Sequence, residues 1–470
     1  MINRDSRRVN FVLWLGVMVV SVVFYLAWYW LDGIILTEDA WSYIAMISER
    51  DPGYCIFLAV MRFWFGEKAL DAAVIVQCIV AALAAAAVTL GLRKRFALNV
   101  LESVSILMIQ YGITLLNRFV AQRRYSYYNS IETEGLCYSL WIFFFLSLLG
   151  VIYDHSRRSI AAALLWSVVL ISMRKQMLVT LILLVLFLLY AGWKEGRLLR
   201  RAALSVLLGI TALMATTLID CSYNYVVRGI FTTHSGDSSF ILGTELYLAD
   251  TDMVESIRTQ EGREVFLEIM RRNDEDGYNI AYAREELPVE KRGSFLRNWQ
   301  AIENHYSLSY DRIKFDIVIP VIQEYQEKLG IPEEMRQKHH NQIVGSMMWD
   351  LLGPCIPRIV QLFACNVIHG MITTVLKTHR LLNWAALLIY CVYMALFLYL
   401  KRKGACESLP FAAAVIVAMV VNVCFTSLTI YPQMRYMLYN TAFFYQAGAV
   451  MFWELVRGNR QKQVNVAAEG

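Results

Sequence analysis

The feature that most constrains this chain is a series of long apolar runs joined by short charged connections. A hydrocarbon core about 30 Å thick takes roughly 20 helical residues to cross. Such runs recur at approximately 11–31, 70–92, 100–117, 134–153, 159–173, 177–193, 202–220, 381–400, 409–430 and 437–455. Lipid offers no partner to an unpaired backbone N–H or C=O, so a run of this kind crosses a bilayer as a helix. Composition supports the same reading: 57% of the residues are hydrophobic and 18% charged, against roughly 25% charge in soluble domains. The expected fold is an all-α polytopic membrane protein, a bundle of about ten transmembrane helices with interfacial helices and an outer-face domain.

Short cytoplasmic loops carry an excess of Lys and Arg. With the N-terminus inside, alternate loops hold Arg93-Lys94-Arg95, Arg157-Arg158, Lys194 with Arg197, Arg200 and Arg201, and Lys401-Arg402-Lys403. The tail with Arg457, Arg460 and Lys462 then falls inside too, so both termini are expected in the cytoplasm. The run 11–31 follows Arg4, Arg7 and Arg8, is longer than a signal-peptide core and lacks a small-residue cleavage site, and it reads as a retained anchor. A stretch at 355–376 would upset the alternation if it crossed. Its Arg358, Gln361, Asn366, His369, Thr373 and Lys377 fall at three- or four-residue spacing and form one polar stripe. It is therefore expected to lie at the outer interface as an amphipathic helix.

Four regions result: a transmembrane core at 1–220 with a first outer loop at 32–69, an extracytoplasmic domain at 221–350, an interfacial helix at 351–380, and C-terminal spans with a cytoplasmic tail at 381–470. Within the first loop, 40–49 and 54–65 are expected to be short helices lying along the membrane, since they carry Trp41, Tyr43, Tyr54, Phe57, Phe63 and Trp64, aromatic types that favour the interface. The polar region has helical periodicity at 261–274 and 321–329 and a loop from Thr232 to Gly243. A domain of this size at the bundle's outer end is suited to cap a site there.

Net charge is +5 and the basic residues are dispersed in short clusters, which argues against a nucleic-acid partner. No Cys lies between Cys221 and Cys355, which disfavours a disulfide framework or a Cys-based zinc site in the polar region. His234, His305, His339 and His340 show no metal-ligand spacing and read as surface or loop residues. No Gly-rich phosphate loop, GxSxG elbow or Walker pattern is present, so nothing supports a nucleotide-driven machine.

The exceptions to the inside bias are more informative. Arg118, Arg123 and Arg124 follow the third span, Arg174-Lys175 lies between the fifth and sixth, and Arg435 lies between the ninth and tenth. Three hairpin tips presenting cations on one face would receive a phosphate or pyrophosphate at headgroup level; each taken singly is equally well explained by snorkelling or headgroup contact. The same face holds Glu38 and Asp39 after the first span and Glu132 and Glu134 at the fourth. A carboxylate beside a phosphate site can serve as general base toward a hydroxyl, while Asp39 with Thr37 also suits helix capping before 40–49.

The order of these residues resembles the GT-C superfamily of lipid-linked-sugar glycosyltransferases, which contains protein O-mannosyltransferases and lipid A aminoarabinose transferases. Asp39 and Tyr43 keep the spacing of that family's first-loop motif, with Ala40 where Glu is usual and Glu38 preceding. Pro52-Gly53-Tyr54-Cys55 is similar to its Pro-Gly-Tyr-Pro stretch, Thr133-Glu134-Gly135-Leu136 to its entry into the fourth span, Arg174 to its hairpin Arg, and Arg435-Tyr436 to its late Arg-Tyr. The resemblance covers about 1–220 and the end of the chain.

It implies transfer of a sugar from a polyprenyl-phosphate donor to a hydroxyl of a glycan, lipid or protein acceptor, at the outer leaflet of a bacterial plasma (inner) membrane. Asp39, alone or with Glu38, would be the base in an inverting attack. Arg118, Arg123, Arg124, Arg174, Lys175 and Arg435 would hold the lipid phosphate, supported by Tyr43, Tyr54, Glu134 and Tyr436. No cofactor is indicated, and members of the superfamily differ on whether a divalent metal assists. Two rivals stand beside this reading. An O-antigen ligase or polymerase would rely on Arg and His of the long loop, such as His305. A transporter or flippase would place polar groups through the middle of the bundle.

Overall fold

All ten apolar runs are helical in the computed structural model, which describes residues 4–120, 124–234, 237–285, 295–376, 380–404 and 407–469, with side chains over 11–120, 124–234, 239–283, 298–376, 382–404 and 407–458. They form α1 (Arg4–Asp32), α4 (Ala69–Phe96), α5 (Val100–Phe119), α6 (Glu134–Asp154), α7 (Arg157–Met173), α8 (Val179–Lys194), α9 (Leu198–Arg228), α16 (Arg380–Lys403), α17 (Leu409–Thr429) and α18 (Met434–Glu469). The first loop carries α2 (Ala40–Ile44) and α3 (Pro52–Phe65), and the polar region carries α10 (Asp237–Leu248), α11 (Gln260–Glu275), α12 (Ile280–Glu285), α13 (Phe295–Arg312) and α14 (Ile319–Lys328). A 43-residue helix, α15 (Glu333–Val375), joins that domain to the C-terminal helices.

Among the described residues nine helical stretches are long and apolar enough to cross a membrane, and no strand forms beyond one bridge between Ile35 and Ser130. The chain is an all-α, multi-pass membrane protein. The nine include α15; they leave out α7, which has 17 residues, and α18. Asn440, Thr441 and Gln446 lower the apolar character of α18, and all three are buried among neighbouring helices.

Local chemistry explains the helix ends and contacts. Asn99 and Glu102 form a reciprocal capping box at the start of α5, each side chain accepting from the other's backbone N–H. In α4 a run of alanines, Ala81, Ala82, Ala84, Ala85 and Ala86, is fully buried and lets α1 and α6 approach closely. Gly229, in the left-handed region at φ +75°, ends α9 where the chain turns into the polar domain.

Irregular backbone at such a depth needs protein partners. The segment 125–133 is buried throughout. Gln77 of α4 donates to the carbonyls of Tyr128 (3.1 Å) and Ser130 (2.9 Å), and Tyr54 donates to Gln77 Oε1 at 2.7 Å. Ile35 pairs with the same segment through Asn129 O and Ile131 N. The first loop and the entry to α6 are thus fastened together before any charged residue is considered.

The polar domain has its own core, built on Leu242, Leu246, Phe266, Ile269, Tyr306, Ile317 and Met347. It rests on the bundle through α15 and the α17–α18 turn: Gln433 donates to Tyr310, and Tyr431 to Glu303. Three members of the polar stripe meet protein, while Lys377 lies outside the described residues. Arg358 pairs with Asp250, Asn366 donates to Ser427 O at 3.3 Å, and His369 lies 3.0 Å from Glu303. The short helix expected over 40–49 stops at Ile44, because Met46 turns the chain at φ +53°.

A candidate site where first-loop and bundle charges meet

At the domain-bearing end of the bundle, five charged side chains from four segments form one network. Asp39 precedes α2, and the chain returns so that Arg50 Nη2 donates to Asp39 Oδ1 at 2.5 Å and Nε to Ser42 Oγ at 2.7 Å. The Arg50 guanidinium lies over the Tyr43 ring, 4.6 Å from its centre. Burial pushes the Tyr43 hydroxyl above its ordinary value, so it remains a neutral phenol.

Gly53 then decides where α3 lies. A Cβ there would come within 2.7 Å of the Ser172 carbonyl carbon and oxygen, so the start of α3 touches the backbone at the end of α7. That contact brings Arg50 and Asp51 beside Arg174 and Lys175. Arg174 leaves α7 in an extended conformation, lies over the Tyr436 ring at 4.4 Å, and donates to Glu134 in the first turn of α6. An acid at that position also meets the positive end of the helix dipole. Arg435, at the head of α18, closes the network: its Nη1 is 3.3 Å from Asp39 Oδ2 and 3.8 Å from Glu134 Oε1, and its Nη2 donates to Tyr436 at 2.9 Å.

Accessibility falls from mouth to floor. Side-chain exposure is 26% at Asp39, 19% at Arg50, 16% at Arg174, 12% at Arg435 and 2% at Glu134. Three guanidiniums face two carboxylates, so the cluster carries an excess positive charge under its most accessible carboxylate. Chemically, this is a place for an anion with a carboxylate at its edge.

A second group adjoins it. Asp220 of α9 accepts from His234, with Nδ1 at 2.7 Å and the backbone N at 3.2 Å, and Lys175 Nζ lies 3.6 Å away. Asp51 is 3.4 Å from His234 Nε2 and accepts from the Lys175 backbone N at 3.4 Å.

Of the residues anticipated from the sequence, Asp39, Tyr43, Glu134, Arg174, Arg435 and Tyr436 come together. Lys175 joins the adjoining group, and Tyr54 fixes the scaffold through Gln77. Arg118 does not reach the cluster; it forms a two-point pair with Asp32 at 2.7 and 2.9 Å. Glu38 and Arg124 are exposed, and Arg123 lies outside the described residues. Glu132 accepts from Tyr125 and Ser130 and is buried. His305 belongs to the polar domain, between Tyr247 and the Gly277 carbonyl. Among the described residues no three His, Cys, Asp or Glu side chains are grouped to hold a metal ion.

Arg50, Asp51, Asp220 and His234 were not anticipated. For Arg50 a signal exists, because it is a cation in the same first loop and the rule that singled out Arg174 and Arg435 applies to it. His234 does lie in a loop but is buried; only the fold pairs it with Asp220. The molecule is therefore a multi-pass helical membrane protein with a charged cluster at one end, beneath a polar helical domain. Compared with protein-family models, curated proteins and solved structures, the chain matches none.

Proposed function

We propose that the protein is an inverting membrane glycosyltransferase that moves a sugar from a polyprenyl-phosphate donor to an acceptor hydroxyl at the outer leaflet, in a bacterial plasma (inner) membrane. The observation that carries this reading is that Arg435 bridges Asp39 and Glu134 while Arg50 and Arg174 flank them. Base and phosphate-binding cations thus belong to one network. The basic loops at the opposite end, such as Arg93-Lys94-Arg95 and Lys401-Arg402-Lys403, favour a cytoplasmic side for that end and for both termini by the positive-inside rule.

In this mechanism the donor phosphate competes with the two carboxylates for the guanidiniums. Arg174 and Arg435 take the phosphate oxygens, where charge grows as the anomeric C–O bond breaks. Asp39, relieved of part of its pairing, accepts the proton of the attacking hydroxyl. Tyr43 and Tyr436 keep the cations in place through ring contacts. A transporter is less well served, since the ionisable network gathers at one end of the bundle.

The test uses purified protein in lipid nanodiscs with a panel of polyprenyl-phosphate sugars. One donor should be consumed, and Asp39→Asn should lower its turnover by about 10²–10⁴-fold without loss of folded protein. Full activity in Asp39→Asn removes the assignment, and consumption of no donor by folded protein favours transport.

A further inference from the structure

We infer that the groove between α3 and α9 is a seat for one diacyl anionic phospholipid, whose phosphate is held by Arg228. The seat is separate from the chemistry proposed for the charged cluster, and its test measures no sugar transfer.

Two hollows of about 480 and 320 Å³ open where α3 lies against α9. They meet at Ile56, Tyr223 and Val226; one extends along α9 to Leu218 and the other along α3 to Phe63 and Trp64. Two apolar hollows with a common lining fit two hydrocarbon chains leaving one head, whereas a single chain would fill one of them. Phe63 and Trp64 are exposed at the far end of α3, the aromatic types found at the membrane–water boundary.

The head of such a lipid falls at the end of α9. That helix has 31 residues and is about 46 Å long at 1.5 Å per residue, against a hydrocarbon core of about 30 Å. With Arg200 and Arg201 at its other end, its last turn reaches headgroup level. There Arg228 donates to Asn224 Oδ1 and to the Met46 carbonyl, and its guanidinium lies 5.7 Å from the centre of the Tyr223 ring. Met46 and Tyr223 also line the groove, which puts the cation at its rim. Among the described residues Arg228 forms no ion pair: each of these partners is neutral. Asp51, the acid at the start of α3, accepts from the Lys175 backbone N and faces His234.

Lipid tails are as apolar as the hollows, so filling them supplies shape and little preference. Discrimination therefore falls on the head, where a guanidinium already fixed by two acceptors favours a net negative phosphodiester over a zwitterion. A free arginine would snorkel toward any head group; this one is held in one place, beside the loop that leads to Arg50.

Native mass spectrometry of the delipidated full chain in detergent, titrated with phosphatidylglycerol and with phosphatidylcholine of the same chains, tests this. One equivalent of phosphatidylglycerol should bind about fivefold more tightly than phosphatidylcholine, the factor expected from one cation near the surface. Arg228→Gln should abolish that preference. Val226→Trp fills the place where the hollows meet and should weaken both lipids; Val226 is 82% exposed, so folding does not depend on its packing. Equal affinities in the wild type overturn the proposal, as does a preference that survives Arg228→Gln. Should Arg228→Gln fail to fold, undiminished phosphatidylglycerol binding in Val226→Trp overturns it equally. A single-chain polyprenyl phosphate that displaces phosphatidylglycerol at equal or higher affinity overturns the diacyl assignment and gives the groove to the donor's lipid. Each of these outcomes is independent of donor turnover in Asp39→Asn.

Discussion

The charged cluster and the polar domain use the same residue types in opposite ways. In the cluster, Asp39 pairs with Arg435, 396 positions away, and every member is mostly buried. On α11 three pairs are local and open to water: Glu268 with Arg271 and Arg272, and Glu275 with Arg271, at three- and four-residue spacing. A local pair is made by the helix whatever the rest of the chain does, and water screens it. A long-range buried pair exists only when several helices are already in place, and it then holds them there. The cluster therefore reports on tertiary structure, whereas these local α11 pairs report on one helix.

The largest effect expected from this contrast is at Glu134. Glu134→Gln leaves Arg174 and Arg435 without the carboxylate they share. Removing one partner of a buried pair costs about 3–5 kcal/mol, so denaturant unfolding in mixed micelles should show a loss of that order. A change no greater than that of a surface pair would mean that the guanidiniums find water or lipid instead, and the contrast would fail.

Next comes the contact that assembles the cluster. Gly53→Ala places a methyl group against the Ser172–Met173 backbone, which cannot rotate away as a side chain could. Overpacking of this kind costs about 1–3 kcal/mol, and the start of α3 should move off α7. Distance measurements between labels at 49 and 176 should show the separation widen. An unchanged distance would mean that Gly53 has no part in bringing Arg50 to Arg174.

These two positions also show what was legible beforehand. Glu134 and Gly53 both sit in motifs readable from the chain, and Arg174 and Arg435 stood out as cations on the face expected to lack them. The ten helices were legible because apolar runs of that length have one way to satisfy their backbone in lipid. Arg118 misled, because its partner Asp32 is 86 positions away and no spacing rule links the ends of α1 and α5. Asp220 and His234 were hidden for a related reason: each is ordinary in its own segment, and only the packing of α9 against the first loop joins them. The polar stripe of α15 was visible, but periodicity records that one face is polar and not what that face meets.

Within the polar domain two carboxylates behave in opposite ways. Glu245 on α10 is 1% exposed, and its carboxyl oxygens have no hydrogen-bond partner among the described residues. Burial raises it from 4.5 to about 8. The unfolded chain releases this proton above about pH 4.5 while the folded domain keeps it, so stability is fullest below 4.5. It falls as pH rises toward 8, by up to about 1.4 kcal/mol per unit. Glu245→Gln should remove that slope from the unfolding of the domain between pH 5 and 8. A slope that survives the substitution would place the titrating group elsewhere.

Glu268 supplies the smallest effect and the opposite sign. Hydrogen bonds from Arg271, and then Arg272, hold its carboxyl down at about 2 although burial works against them. Its contribution is present above the ordinary value of 4.5 and is lost as pH falls toward 2. Because this carboxylate is well exposed, water screens most of the gain. Glu268→Gln should move the unfolding midpoint at pH 7 by no more than about 2 °C, and less still in high salt. A shift as large as that of Glu134→Gln would show that α11 is fastened to α14 through the Arg272–Glu324 pair far more tightly than a surface contact allows, and would move the domain's charges into the same class as those of the cluster.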